Sequence, residues 1–149
     1  KIVNQLVCEV NNGNTICITD DELKAIEKCI DVLPHNYMTP RKVKKLVNLL
    51  VLTKDYCINS YTSLTINYCE LFSWIVLNSF FHDAAYYATT LYTKQRQFTP
   101  LKHVLNYSTQ KNLFEKLNST PYIPIIENFA MNDIIIYNKI ANDFSISIY

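Results

Sequence analysis

The chain has stretches where apolar positions recur every three or four residues, divided by stretches where they do not. The first clear helical period is Leu23, Ile26, Ile30 and Leu33, a spacing that places apolar side chains on one face of a helix. Its start is marked twice. Thr19 and Glu22 have the spacing of a capping box, and Ile18 and Leu23 that of a hydrophobic staple. Pro34 predicts its end. A second helix opens at Thr39-Pro40, with threonine as N-cap and proline at the first helical position. Val43, Leu46, Val47 and Leu50 give its buried face. Residues 54–66 show little periodicity and are expected to form a connector.

Asn67 and Glu70 suggest a third capped start, opening NYCELFSWIVLNSFF. This stretch is apolar on most sides, which predicts the central, most buried helix, built around Trp74. A further helix is expected over DAAYYATTLYTKQ. Thr99-Pro100 opens another at LKHVLNYS, and NLFEKL makes a short one. Pro121 and Pro124 break the chain before IIENFAMNDIIIYNKIA, which is apolar enough for helix or strand. Residues 1–17 alternate loosely and read as a lead-in segment. The expected fold is mainly α, an orthogonal helical bundle of five or six helices around the Trp74 segment, with room for short strands at the ends.

Composition narrows the function. With 149 residues, 49% of them hydrophobic, and a net charge of +1, the chain is a folded globular domain and not a polybasic tail. It starts at Lys1 and stops inside the alternating run FSISIY, so a piece of a longer protein is expected. No signal peptide is visible. The longest apolar stretch, 71–81, falls short of the ~20 residues that a spanning helix needs. Gly13 is the only glycine. A phosphate-cradling P-loop or a dinucleotide fold needs several, because backbone amides must approach the phosphates closely; neither fits within this chain. The five cysteines, Cys8, Cys17, Cys29, Cys57 and Cys69, are odd in number and lack close pairing, which reads as reduced thiols. Asn106 and Asn118 match the glycosylation pattern, as chance allows in an Asn-rich chain.

Catalytic chemistry finds little support. His35, His82 and His103 are far apart and none has metal-ligand spacing with a cysteine. His82 and Asp83 are adjacent, so on a helix they do not face each other. Trp74, Phe72 and Phe80 read as core. No catalytic residue and no metal site is assigned, and the chain by itself is not expected to be an enzyme.

The second helix carries the one unusual charge pattern. Arg41, Lys42, Lys44 and Lys45 crowd its first turns, where the positive end of the helix dipole makes each cation cost about 0.3–1 kcal/mol. No carboxylate lies between Pro40 and Lys54 to pair with them locally. The plain account is a solvated helix face. The competing account is an anion site, since an anion at that helix end reverses the sign of the dipole term. A nucleotide phosphate, an acidic protein surface and lipid headgroups all fit this pattern. Nucleic acid fits poorly, because no second basic segment accompanies the first.

Here a resemblance enters. TPRKVKKLVNLL resembles the helix of the KAP family of P-loop NTPases in which Pro and basic residues lead into a Leu-Asn-like pair. ELFSWIVLNSFFHDAAYYATTLY resembles the segment that follows in its animal members, the ankyrin repeat-rich membrane-spanning proteins. The order and spacing, through the intervening LVLTKDYCINSYTSLTI, are also similar, and IPIIENFAMNDIIIYNKIANDFSISIY resembles the next stretch more loosely. The resemblance covers roughly residues 18–149. Those family members usually carry a Trp-Pro pair and a nearby Arg where this chain has Phe80, Phe81, His82, Asp83 and Ala84. The resemblance implies a helical, lid-like region over 18–107 followed by a helical or mixed region over 108–149. It implies a regulatory lid without its own Walker motifs, in a membrane-associated protein that acts as a signalling scaffold. ATP and magnesium would then belong to the parent protein. The implied partners are the rest of the NTPase domain, signalling proteins, and a membrane reached through other segments, with this part on its cytosolic side. In related ATPases a basic residue early in the lid helix reaches the nucleotide's terminal phosphate. By position that residue is Arg41 or Lys44, with Lys42 and Lys45 beside them. Val43, Leu46, Val47 and Leu50 would only hold the helix in place.

Overall fold

In the computed structural model, residues 17–33, 39–80, 82, 85, 86, 88–90 and 123–143 are described. They contain five helices with described bounds, α1 (Asp20–Asp31), α2 (Pro40–Ser60), α3 (Tyr68–Phe80), the single turn α4 (Ile123–Ile126) and α5 (Met131–Asp143), and residues 82, 85, 86 and 88–90 are helical as well. No β-strand occurs among the described residues. The fold is mainly α, a helical bundle. The strands allowed at the ends, the helices expected over 99–108 and 112–117, and the stop at Pro34 lie outside the described residues. The chain packs as two compact units, one reaching to Phe72 and the other beginning at Ser73.

In the first unit, α1 starts where the capping box predicts. The Glu22 amide donates to Thr19 Oγ1 at 3.3 Å, and the Thr19 amide donates to Glu22 Oε2 at 3.0 Å. Asp20, Asp21 and Glu22 fill the first turn and Lys28 the last, both favourable to the dipole. The buried positions are Glu22, Ile26, Cys29 and Leu33, with Leu23 and Ile30 half-buried at the edges. The expected stripe is therefore rotated: its centre is Ile26, and its N-terminal member is a glutamate.

α2 begins at Thr39-Pro40 as expected. The Lys42 amide donates to Thr39 Oγ1 at 3.3 Å and the Val43 amide to the Thr39 carbonyl at 3.0 Å. Val43, Leu46, Val47 and Leu50 are all buried. The helix then runs on to Ser60, so the connector expected over 54–66 is shorter and starts at Tyr61. The inward row Val43, Val47, Leu50 continues with Lys54 and Cys57, both buried. A lysine at an inward position, with exposed Leu52, Tyr56 and Ile58 around it, erases the apolar period without ending the helix. Tyr61 stops it, its amide donating back to the Cys57 carbonyl at 2.9 Å.

α3 opens at Asn67, whose side-chain oxygen accepts from the Glu70 amide at 3.3 Å and whose carbonyl accepts from Leu71 at 3.0 Å. Every residue from Leu71 to Leu77 is buried, Trp74 completely, as expected of a helix that is apolar on most sides. Leu71 and Phe72 close the first unit.

The second unit takes the rest of α3 from Ser73. Ala85 and Ala88 are buried, within the expected 83–95 helix. Thr89 and Thr90 are helical there, with hydroxyls donating to the carbonyls four residues back, Ala85 at 2.8 Å and Tyr86 at 2.9 Å. Pro124, expected to break the chain, lies within the turn α4, where its missing N–H costs no helical bond; residues 127–130 form a turn, and the stretch from Met131 is helix. Ile134, Tyr137, Ile140 and Ala141 are buried while Ile135 faces solvent, a helical period that the run Ile134-Ile135-Ile136 hides. The Phe129 and Tyr137 rings meet edge to face, centroids 6.2 Å apart.

Candidate functional site

Two groups of charge stand out in the first unit, one buried and one exposed. The buried group centres on Lys54, which α2 carries on its inner side. Lys54 Nζ donates to both carboxylate oxygens of Glu22, at 2.8 and 2.9 Å, and to the Cys17 carbonyl at 2.8 Å. The side chains of Lys54 and Glu22 are only 10% and 8% exposed. The ammonium also lies 5.2 Å from the centre of the Tyr68 ring at the start of α3, near enough for a cation–π contribution. Each of the three ammonium protons has an acceptor, and Glu22 Oε2 takes the Thr19 amide as well. Such completeness is what a buried ion pair needs to offset the loss of hydration. The group therefore joins the lead-in at Cys17, the cap of α1, the middle of α2 and the first turn of α3.

Burial governs the groups around it. The Cys57 thiol is pushed up to about 11 by desolvation. The Tyr68 hydroxyl is raised, first by desolvation and then by Cys57 and Glu22. Cys69 is raised by desolvation, with Glu22 and Asp21 adding to it. Cys57 and Cys69 are thus held as thiols, the opposite of an activated nucleophile. No disulfide joins any two of Cys17, Cys29, Cys57 and Cys69. Sequence reasoning missed Lys54 altogether and gave Glu22 a capping role alone. The signal was the spacing Val43, Val47, Leu50, Lys54, Cys57, an inward row in which one member is charged.

The exposed group is the basic start of α2. Arg41, Lys44 and Lys45 face solvent, and Lys42 is half-buried at the edge. No ion pair joins Arg41, Lys44 or Lys45 to a described carboxylate, and the first turn carries no acid. The local backbone limits what the helix end itself offers to an anion. Pro40 has no N–H, Thr39 takes the Lys42 amide, and the Val43 amide is committed to the Thr39 carbonyl. Only the Arg41 amide remains, so side chains would have to do most of the binding. These residues fit a single phosphate contact: Arg41 as a planar fork, Lys44 as a point charge. They do not fit a whole nucleotide, and no group of three or more His, Cys, Asp or Glu stands together among the described residues to hold magnesium.

His82 is exposed, His35, His103 and Asp83 lie outside the description of side chains, and Phe72 and Trp74 are core. No described helix is long and apolar enough to cross a membrane. No protein-family model, no curated protein and no solved structure matches this chain.

Proposed function

We propose that this chain is the helical, lid-like regulatory part of a KAP-type P-loop NTPase that serves as a signalling scaffold, and that it works by presenting the basic start of α2 to an anion held by the rest of the protein. The observation that carries the reading is the exposed trio Arg41, Lys44 and Lys45, which makes no ion pair with any described carboxylate at a helix end where cations are disfavoured. Lys54, on the same helix, is fully matched by Glu22. The resemblance supplies the identity of the anion, the terminal phosphate of an ATP whose magnesium and phosphate loop belong to the parent. A phosphate contact from Arg41 or Lys44 would let the lid respond to hydrolysis, one ligand biasing a two-state element. The chain alone turns over no nucleotide in this reading. Its other partners are signalling proteins and, through other segments, a membrane on whose cytosolic side it sits.

The test begins with the native transcript upstream of Lys1, where a Gly-rich Lys-Ser/Thr loop is expected. In that longer protein, Arg41→Ala or Lys44→Ala should lower discrimination between ATP and ADP about tenfold, measured by competition binding, with helicity unchanged. Equal discrimination in both variants and the parent would reject the lid role.

A second reading, a docking module for an acidic protein or anionic lipid, is favoured by one observation. Leu52 and Tyr56 are exposed on the same side of α2 as the cations.

A further inference from the structure

The outer side of α2 has an order along its length. At 100° per residue, Arg41, Lys44, Lys45, Asn48, Leu52, Asp55, Tyr56 and Asn59 fall within one third of the helix circumference, and all eight are exposed. The N-terminal part of this strip is cationic. Farther along it turns apolar: Leu52 is 57% and Tyr56 37% exposed. Tyr56 is steadied by an edge-to-face contact with Tyr61, ring centroids 6.0 Å apart. Asp55 lies beside the apolar part, its carboxylate accepting from Asn59 Nδ2 at 3.3 Å. From Arg41 to Tyr56 the strip is about 22 Å long at ~1.5 Å per residue.

We propose that this strip is a docking surface for a protein segment that is acidic at one end and apolar at the other, laid along α2 with its acidic end over Arg41, Lys44 and Lys45. Charge complementarity fixes the acidic end. Three cations that make no ion pair with a described carboxylate, at a helix start whose first turn carries no acid, attract carboxylates, and the helix dipole adds to that attraction. Leu52 and Tyr56 fix the other end, since an apolar side chain seated on them removes exposed apolar surface from water. Asp55 sets the direction: a segment bound the other way round would place its carboxylates against it. Mixed signs at one strip select partners as much by repulsion as by attraction.

A membrane surface fits less well. An interfacial helix has its apolar side around the axis from its cations, so that both meet the bilayer at one depth. Here cations and apolar residues are separated along the axis, and Asp55 would be brought against anionic headgroups. The inference does not depend on the phosphate contact proposed above, because it concerns the chain without nucleotide.

The probe is a pair of synthetic helical peptides of about 15 residues, matched in length to the strip. Both contain glutamate and leucine in an alanine-glutamine background; only the order differs, segregated in one and interleaved in the other. Binding to the whole chain is read by fluorescence anisotropy. The segregated peptide should bind about tenfold tighter or better, and more weakly as salt rises. Lys44→Glu with Lys45→Glu, and separately Leu52→Ser with Tyr56→Ser, should each lower its affinity about tenfold with the thermal melt unchanged. Equal binding of the two orders, binding of neither, or retention of binding in either double variant would overturn the proposal. So would binding to phosphatidylserine vesicles, but to neither peptide, that depends on the same four residues. All measurements are made without nucleotide, so failure here leaves the lid reading standing. Lost ATP discrimination in the parent, equally, says nothing about these peptides.

Discussion

Replacing Lys54 by methionine keeps most of the side-chain volume and removes the charge. In the native structure the ammonium gives three hydrogen bonds, two to Glu22 and one to the Cys17 carbonyl. Without it, Glu22 Oε2 keeps the Thr19 amide, but Oε1 loses the donor that Lys54 supplied, inside a site where the carboxylate is 8% exposed. Breaking one side of a buried pair in this way costs about 3–5 kcal/mol. At ~2–4 °C per kcal/mol for a domain of this size, the melting temperature should fall by roughly 6–20 °C. Glu22→Leu should cost a similar amount, because it strands the ammonium and removes half of the capping box. The double variant Glu22→Leu with Lys54→Met has no stranded charge and should lie within about 2 kcal/mol of the native chain. The cycle therefore predicts a coupling of several kcal/mol. Urea unfolding followed by far-UV circular dichroism reads the first unit together with the second, and the fluorescence of Trp74, the single tryptophan, reads the second. A loss below about 1 kcal/mol in Lys54→Met, or a double variant that costs the sum of the singles, would refute the claim that this pair ties the first unit together.

Other outcomes follow from single groups. Thr39→Ala should lower stability by about 1 kcal/mol through loss of the α2 cap, seen as a shift in urea midpoint with unchanged slope, whereas Thr39→Asp should retain it. Because burial raises the thiol of Cys57 to about 11 from 9.0, the unfolded chain releases this proton first as pH climbs. The corresponding stability is whole below about pH 9 and is lost between pH 9 and 11; Cys69 and Tyr68, also raised, act in the same direction. Cys57→Ala should flatten the fall of melting temperature over that window. At pH 8 a thiol reagent should label exposed Cys17 well before buried Cys57, and equal rates would contradict the burial of Cys57. Trp74→Ala, at the centre of α3, should cost about 3–5 kcal/mol by chemical denaturation.

The helix starts were legible because capping is a local event. Thr19 with Glu22, Thr39 with Pro40, and Asn67 with Glu70 each specify a cap within four residues, and each cap forms. The inward row of α2 was legible as far as Leu50 for a similar reason, since its members are apolar. It became illegible at Lys54, where the inward residue is charged and its partner is 32 residues earlier in the chain. No local rule connects a glutamate in the first turn of one helix to a lysine in the middle of the next. The segment Ile134-Ile135-Ile136 failed differently: three consecutive isoleucines carry no period, and only the burial of Ile134, Tyr137 and Ile140 separates helix from strand. The basic cluster was visible as a cluster, but periodicity alone did not reveal that Leu52 and Tyr56 extend its side of the helix, because the apolar period fades after Leu50 and residues 54–66 read as a connector.

Those two misreadings have one cause, and it bears on how α2 works. A helix of 21 residues that merely filled a core would hold its apolar residues inward and its charges outward. α2 does both of the opposite things in its C-terminal half: it takes Lys54 inside and leaves Leu52 and Tyr56 outside. The inward lysine fixes the position of the helix against α1 and the start of α3 through directional bonds to Glu22 and a carbonyl, where an apolar residue would allow it to slide or rotate by part of a turn. With its rotation fixed in this way, Arg41, Lys44, Lys45, Leu52 and Tyr56 are held on one side in a constant order. Substituting the pair by apolar residues should therefore leave stability nearly intact while loosening that presentation. In the Glu22→Leu, Lys54→Met variant, hydrogen exchange at α2 amides should quicken although the global unfolding free energy is nearly native. Unchanged exchange would mean that the apolar row alone sets the rotation of the helix, and the buried pair would then have no part in presenting the outer strip.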